Sequence, residues 1–128
     1  MIAKKILLAE DDMDDQKIFQ EFLAHRTDID LLPPAENGDE VFRLIEGGHV
    51  PDIIILDQNM PKRNGLQTLQ LLKETSAYTH IPVIIYSTYA DGNLVQKSTD
   101  LGAAGVWSKP ITQEGYNEMI DALLKMEA

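Results

Sequence analysis

The segment Ile53-Ile54-Ile55-Leu56-Asp57-Gln58-Asn59-Met60-Pro61 sets the architecture of this chain. Four successive large apolar residues, three of them β-branched, read as a strand covered on both faces, as in the middle of a parallel sheet. The strand stops on a carboxylate, and Pro61 has no N–H with which to continue a ladder. Open α/β sheets bind their ligands beyond the carboxyl ends of their strands. Asp57 is therefore the first candidate functional residue.

Strand-like and helix-like segments alternate on either side. Lys5 to Ala9 is a short apolar run ending at Glu10-Asp11-Asp12. From Asp14 to His25, Ile18, Phe19, Phe22 and Leu23 recur at helical spacing, behind acids suited to a helix start. Ile29 to Leu32 reads as a second strand, and Pro33-Pro34 places it at a sheet edge. Asn37-Gly38 signals a turn, and Val41, Leu44 and Ile45 mark a short helix ending at Gly47-Gly48. After Gly65, Leu66, Leu69, Leu71 and Leu72 form a third helix that ends near Ser76. Val83 to Tyr86 is a fourth strand and delivers Ser87 and Thr88. Asp91 to Leu101 is the least apolar helix, with Leu94, Val95 and Leu101 as anchors, and Gly102-Ala103-Ala104-Gly105 breaks it. Val106-Trp107 is a short fifth strand running into Ser108-Lys109-Pro110, and Thr112 to Met126 is the last helix.

Parallel strands joined by right-handed helical crossovers predict one α/β domain over residues 1–128. The pattern suits a flavodoxin-like (βα)5 doubly wound parallel sheet of strand order 2-1-3-4-5, whose switch point lies between the first and third strands. Composition narrows the function. The chain has no cysteine, which excludes disulfides and thiolate metal sites. No apolar run approaches the ~20 residues of a membrane span. The start Met1-Ile2-Ala3-Lys4-Lys5 lacks a signal-peptide pattern, so a cytoplasmic location is expected. Eleven basic against 21 acidic side chains give a net charge of −10, which argues against binding nucleic acid through its phosphates.

The predicted strand order brings Glu10, Asp11 and Asp12 beside Asp57. Converging carboxylates repel one another, and the natural partner is a hard divalent cation such as Mg²⁺. His25, His49 and His80 lie away from the strand ends, so zinc is not expected. Strand four adds the hydroxyl of Ser87 and strand five the cation of Lys109. A metal and a lysine can neutralise phosphoryl oxygens while a hydroxyl donates a hydrogen bond. There is no GxxxxGK[ST] loop to support nucleotide binding. Singly, each residue has a plainer explanation. Asp57 could be a turn residue, the acidic trio a helix start, Lys109 a solvated loop lysine and Ser87 a local hydrogen-bonder. None of these explains why all four converge.

Leu7 to Asp12, Pro51 to Pro61, Asn64-Gly65, Ile81 to Ser87, and Gly102-Ala103 through Lys109-Pro110 occur in an order that resembles a response regulator receiver domain of two-component signalling. The resemblance covers essentially the whole chain. It implies that Asp57 is the phosphoacceptor, taking a phosphoryl group from the phosphohistidine of a sensor histidine kinase or a histidine phosphotransfer protein. Asp11 and Asp57 would bind Mg²⁺ directly, Glu10 through water and Asn59 through its main-chain carbonyl. Ser87 would be the switch hydroxyl, Lys109 would pair with the phosphoryl group, and Lys109-Pro110 is a candidate cis peptide. Asp12 falls one place past the acidic pair and reads as a helix-start residue.

Three positions depart from the family pattern. Val106 stands where the family usually carries Tyr or Phe, and Trp107 one place later should face the other side of the strand. Thr88 is larger than the small residue the family favours and is expected to narrow access to Asp57. Tyr89 is expected to shield an acyl phosphate from water and lengthen its life. With no output domain expected after the fifth unit, the readout would be contact with a downstream protein target rather than with nucleic acid or a membrane. One alternative is a receiver-like interaction module that is never phosphorylated. Another is a metal-dependent phosphohydrolase like the haloacid dehalogenases, but Asn59 stands where those enzymes need an acid–base carboxylate. A flavin-binding flavodoxin would need a phosphate-cradling first loop, and Glu10-Asp11-Asp12 would repel the phosphate.

Overall fold

The apolar runs pair side by side in a computed structural model that describes residues 3–127. Its elements are β1 (Lys4–Ala9), α1 (Met13–Leu23), β2 (Ile29–Leu31), α2 (Gly38–Glu46), β3 (Ile53–Asp57), α3 (Gly65–Glu74), β4 (Val83–Ser87), α4 (Gly92–Asp100), β5 (Gly105–Ser108) and α5 (Gln113–Glu127). The five strands are parallel in the order β2-β1-β3-β4-β5, the flavodoxin-like (βα)5 arrangement expected from the sequence. β3 is buried along its whole length, as its unbroken apolar run requires. Pro33 and Pro34 follow the edge strand β2, where missing donors cost least.

Side chains alternate across the sheet and split the core in two. Leu7, Ala9, Ile54, Leu56, Val83 and Ile85 pack with Val41, Ile45, Leu69, Leu72 and Leu94 of α2, α3 and α4. On the other face Ile6, Leu8, Ile53, Ile55, Ile84 and Tyr86 meet Phe19 and Leu23 of α1 and Tyr116, Met119, Ile120 and Leu123 of α5. Val106 joins the first face and Trp107 the second, the opposition expected of neighbouring strand residues.

Every β-to-α connection places a helix N-terminus at the carboxyl edge of the sheet. Asp12 caps α1 by accepting from the Asp14 and Asp15 amides at 2.9 and 3.1 Å. Asn64 and Gln67 cap α3 reciprocally, and Asp91 caps α4. Asn37-Gly38 is not a turn of its own: Asn37 caps α2, and Gly38 is the first helical residue. The start of α3 approaches the end of β3 so closely that a Cβ on Gly65 would lie 2.7 Å from the Asp57 carbonyl. Only glycine fits there, which gives the Asn64-Gly65 pair a physical meaning.

The expectation of a cis peptide at Lys109-Pro110 is not met. Among the described residues no peptide bond is cis. The trans form is the lower-energy state of an X-Pro bond, and the Lys109 amide, donating to the Ser87 carbonyl at 2.9 Å, extends β5 alongside β4.

Candidate functional site

Ala9 pairs with Leu56, so the residues that follow, Glu10 and Asp57, leave β1 and β3 side by side. Both are buried, while Asp11 is exposed. One oxygen from each of Glu10, Asp11 and Asp57 lies within 4.8 Å of the other two. An open cleft of about 570 Å³ lies above them, lined also by Asp12 to Asp15, Asn59, Thr88 and Lys109.

Lys109 holds the cluster together. Its Nζ donates to Glu10 Oε1 at 2.8 Å, to Asp57 Oδ2 at 3.2 Å and to Asp15 Oδ2 at 3.2 Å. The ammonium also lies 5.1 Å from the centre of the Tyr86 ring, a cation–π approach. Burial pulls the Lys109 pKa down, but Glu10 and Asp57 more than offset this and hold it above its usual value. Burial and the neighbouring Asp57 carboxyl push the Glu10 pKa above its usual value, while Lys109 and Tyr86 pull the other way. Asp57 is fixed at its other oxygen as well, where Oδ1 accepts from the Asn59 amide at 3.2 Å.

Three residues of the site lie beyond those the sequence singles out. The Tyr86 hydroxyl donates to Glu10 Oε1 at 2.8 Å, and burial keeps it protonated by pushing its pKa up. Gln16, buried in α1, donates through Nε2 to the Glu10 carbonyl. Asp15 is the third carboxylate on Lys109. A tyrosine in the middle of a buried strand must find a partner for its hydroxyl, so Tyr86 was the one of the three with a readable signal.

The positions expected to form the switch are spread more widely. Ser87 is buried at the end of β4, and its Oγ accepts from the Tyr89 amide at 3.4 Å; it does not line the cleft, whereas Thr88 does. Tyr89 stands in solvent, 76% exposed and outside the residues that line the cleft. The three carboxylates fit Mg²⁺: they are hard oxygen donors, two of them buried, and among the described residues neither thiol nor imidazole joins the group.

The sequence model of the response regulator receiver domain matches residues 6–121. A curated relative, the probable C4-dicarboxylate response regulator DctR of Bacillus subtilis (strain 168), is 30% identical over 117 residues, which is 91% of this chain and 50% of that protein. The chain spans about half the length of the curated relatives it matches. Among solved structures, the Mn(2+)-bound form of response regulator Rcp1 superposes with a TM-score of 0.79 at 27% identity, covering 94% of this chain and 91% of that one. The phosphorylated cyanobacterial phytochrome response regulator RcpA gives 0.80 at 27% identity, covering 95% and 91%. The strand order, the acidic cleft closed by Lys109 and these matches agree: the chain belongs to the response regulator receiver domain family.

Proposed function

We propose that this receiver is a phosphoacceptor switch in which Asp57 takes a phosphoryl group from the phosphohistidine of a sensor histidine kinase or a histidine phosphotransfer protein, in a step that depends on Mg²⁺. The observation that carries this reading is the pairing of Asp57 with Lys109 Nζ at a buried strand end, beside Glu10 and Asp11. In the transfer the bond between phosphorus and the imidazole nitrogen breaks, and the nitrogen keeps the electron pair. An Asp57 carboxylate oxygen forms the new bond, giving a mixed anhydride. Mg²⁺ held by Asp11, Asp57, the Asn59 carbonyl and, through water, Glu10 would neutralise the charge of carboxylates and phosphoryl oxygens.

The chain's own residues supply position and charge. The Asn59 amide fixes the rotamer of Asp57, and the Lys109 ammonium, kept protonated by its carboxylates, is ready to pair with phosphoryl oxygens. Ser87 sits one residue beyond Tyr86, the partner of Asp57 across the β3–β4 ladder, and its hydroxyl can turn toward a phosphoryl group there. Movement of Ser87 and Lys109 would bias the surface of the β4-α4 and β5-α5 units, which a downstream protein reads. With Val106 half-buried against the α3 and α4 face, that bias is carried without the usual aromatic of β5. Asn59 cannot transfer protons, so the reading is a switch and not a turnover phosphatase. A cytoplasmic setting, away from nucleic acid and membrane, belongs to the same proposal; no helix of the described residues is long and apolar enough to cross a membrane.

Incubation with Mg²⁺ and acetyl phosphate, followed by intact mass, tests the reading. One labile adduct of about 80 Da, a single phosphoryl group, is expected on the wild-type chain and none on Asp57→Asn. An unmodified wild type would instead favour an interaction module, and steady release of phosphate a hydrolase.

A further inference from the structure

The phenol of Tyr86 has a place in this site that its strand does not require. β4 is otherwise apolar up to Ser87, and Tyr86 is 1% exposed. It lies opposite Asp57 in the β3–β4 register, on the sheet face that carries α1 and α5. From there the ring passes beneath Lys109 Nζ, and its hydroxyl reaches Glu10 on β1.

A carboxylate oxygen accepts about two hydrogen bonds. Glu10 Oε1 already receives two, from Tyr86 and from Lys109, each at 2.8 Å. Glu10 Oε2 receives the Asp12 amide at 3.2 Å and keeps a lone pair free. The two donors thus fix the carboxylate's rotation and leave a single oxygen to serve a cation or its water. A Lys109 that turned from Glu10 to a phosphoryl group would leave Tyr86 as the one donor on Oε1 of a fully buried carboxylate. Stripped of both donors, Oε1 would be a buried, unpaired acceptor, which is costly.

We infer that Tyr86 is a positioning residue of the metal site: its hydroxyl holds Glu10 Oε1 so that Oε2 alone addresses the cation, and it remains as the donor when Lys109 leaves. This rests on the phosphoacceptor reading of the same cleft. Groups that orient a metal's ligands typically matter 10- to 100-fold in affinity. Because Glu10 acts through water in that reading, the lower end applies, and Tyr86→Phe should raise the Mg²⁺ dissociation constant about tenfold.

The experiment is a Mg²⁺ titration by calorimetry, with Mn²⁺ and its spin-resonance signal as a second probe, on wild type, Tyr86→Phe, Glu10→Gln and the double variant. The loss caused by Tyr86→Phe should largely vanish in the Glu10→Gln background. Because Tyr86→Phe keeps the ring, a residue that merely filled space would show no loss in either background. A readout on the unaltered chain accompanies it: the ¹³Cζ resonance of Tyr86 should shift with the same midpoint as Mg²⁺ binding. If wild type binds Mg²⁺ but Tyr86→Phe binds as well, or the loss persists without Glu10, or the resonance stays still, this inference is overturned while the phosphoacceptor reading stands. A wild type that binds no Mg²⁺ overturns both.

Discussion

α5 and α4 lie against the same sheet and are held very differently. α5 gives Tyr116, Met119, Ile120 and Leu123 to the core, and Tyr116 meets Phe19 and Phe22 of α1 edge-on at 5.8 and 5.6 Å. Arg26 then fastens α5 from outside, donating to Asp121 at 2.7 Å and to Asn117 while its other side grips Asp28. α4 buries only Leu94 and Ser98, and Ser98 Oγ is the one buried side-chain polar atom among the described residues without a hydrogen-bond partner. Segments with few buried apolar contacts open most easily. The chemical corner at Glu10, Asp57 and Tyr86 backs onto the firm side, and β4 runs from it into the loose one. If Asp57 is the phosphoacceptor proposed above, α4 is the more yielding element for its signal to move and α5 the firmer one.

The largest effect is expected at the corner itself. Lys109→Met leaves two buried carboxylates without their cation, which should cost the metal-free protein about 3 kcal/mol. Urea unfolding with and without Mg²⁺ measures it, and the metal should restore part of the loss by binding the folded form. Next comes the α5 fastening. Arg26→Gln should cost about 1–2 kcal/mol at neutral pH, since the partners are half-exposed. Its pH signature has a definite sign. Arg26 holds the Asp28 carboxyl below its usual 3.8, so the stability it provides is present above that value and is lost as pH falls through the lower folded value. In Arg26→Gln that part of the acid limb should flatten.

On the loose side the sign reverses. Ser98→Ala removes an unpaired buried hydroxyl and should stabilise the chain by about 1 kcal/mol, read as slower amide exchange in Gly92–Asp100. A destabilising Ser98→Ala would mean that α4 is held by something other than its few apolar contacts. The smallest effect lies at the mouth of the cleft: Thr88→Ala should shorten the acyl phosphate's half-life by about two- to threefold, an effect below 1 kcal/mol. Tyr89→Ala, altering a side chain in solvent, should leave it unchanged.

Much of this was legible in the chain. Periodicity alone separates the apolar run of β3 from the helices around it, and parallel pairing then brings Glu10, Asp11, Asp57 and Lys109 together. Tyr86, Asp15 and Gln16 are harder to read because their roles depend on which way a side chain leans across neighbouring elements, and strand alternation gives only the face. Tyr89 shows the same limit: its place beside the site is a fact of sequence, whereas its exposure belongs to the turn after Ser87. Asn37-Gly38 reads as a turn because the composition of a cap and of a turn is the same.

The most direct test of the account is hydrogen exchange on the chain loaded from acetyl phosphate in the presence of Mg²⁺, compared with Asp57→Asn under the same conditions. The account predicts a change in amide protection across α4 and the loops after β4 and β5 that exceeds any change in α5, with β1 and β3 unaltered, and no change in Asp57→Asn. Protection that shifts in α5 while α4 stays as it was, or that shifts equally without Asp57, would contradict it.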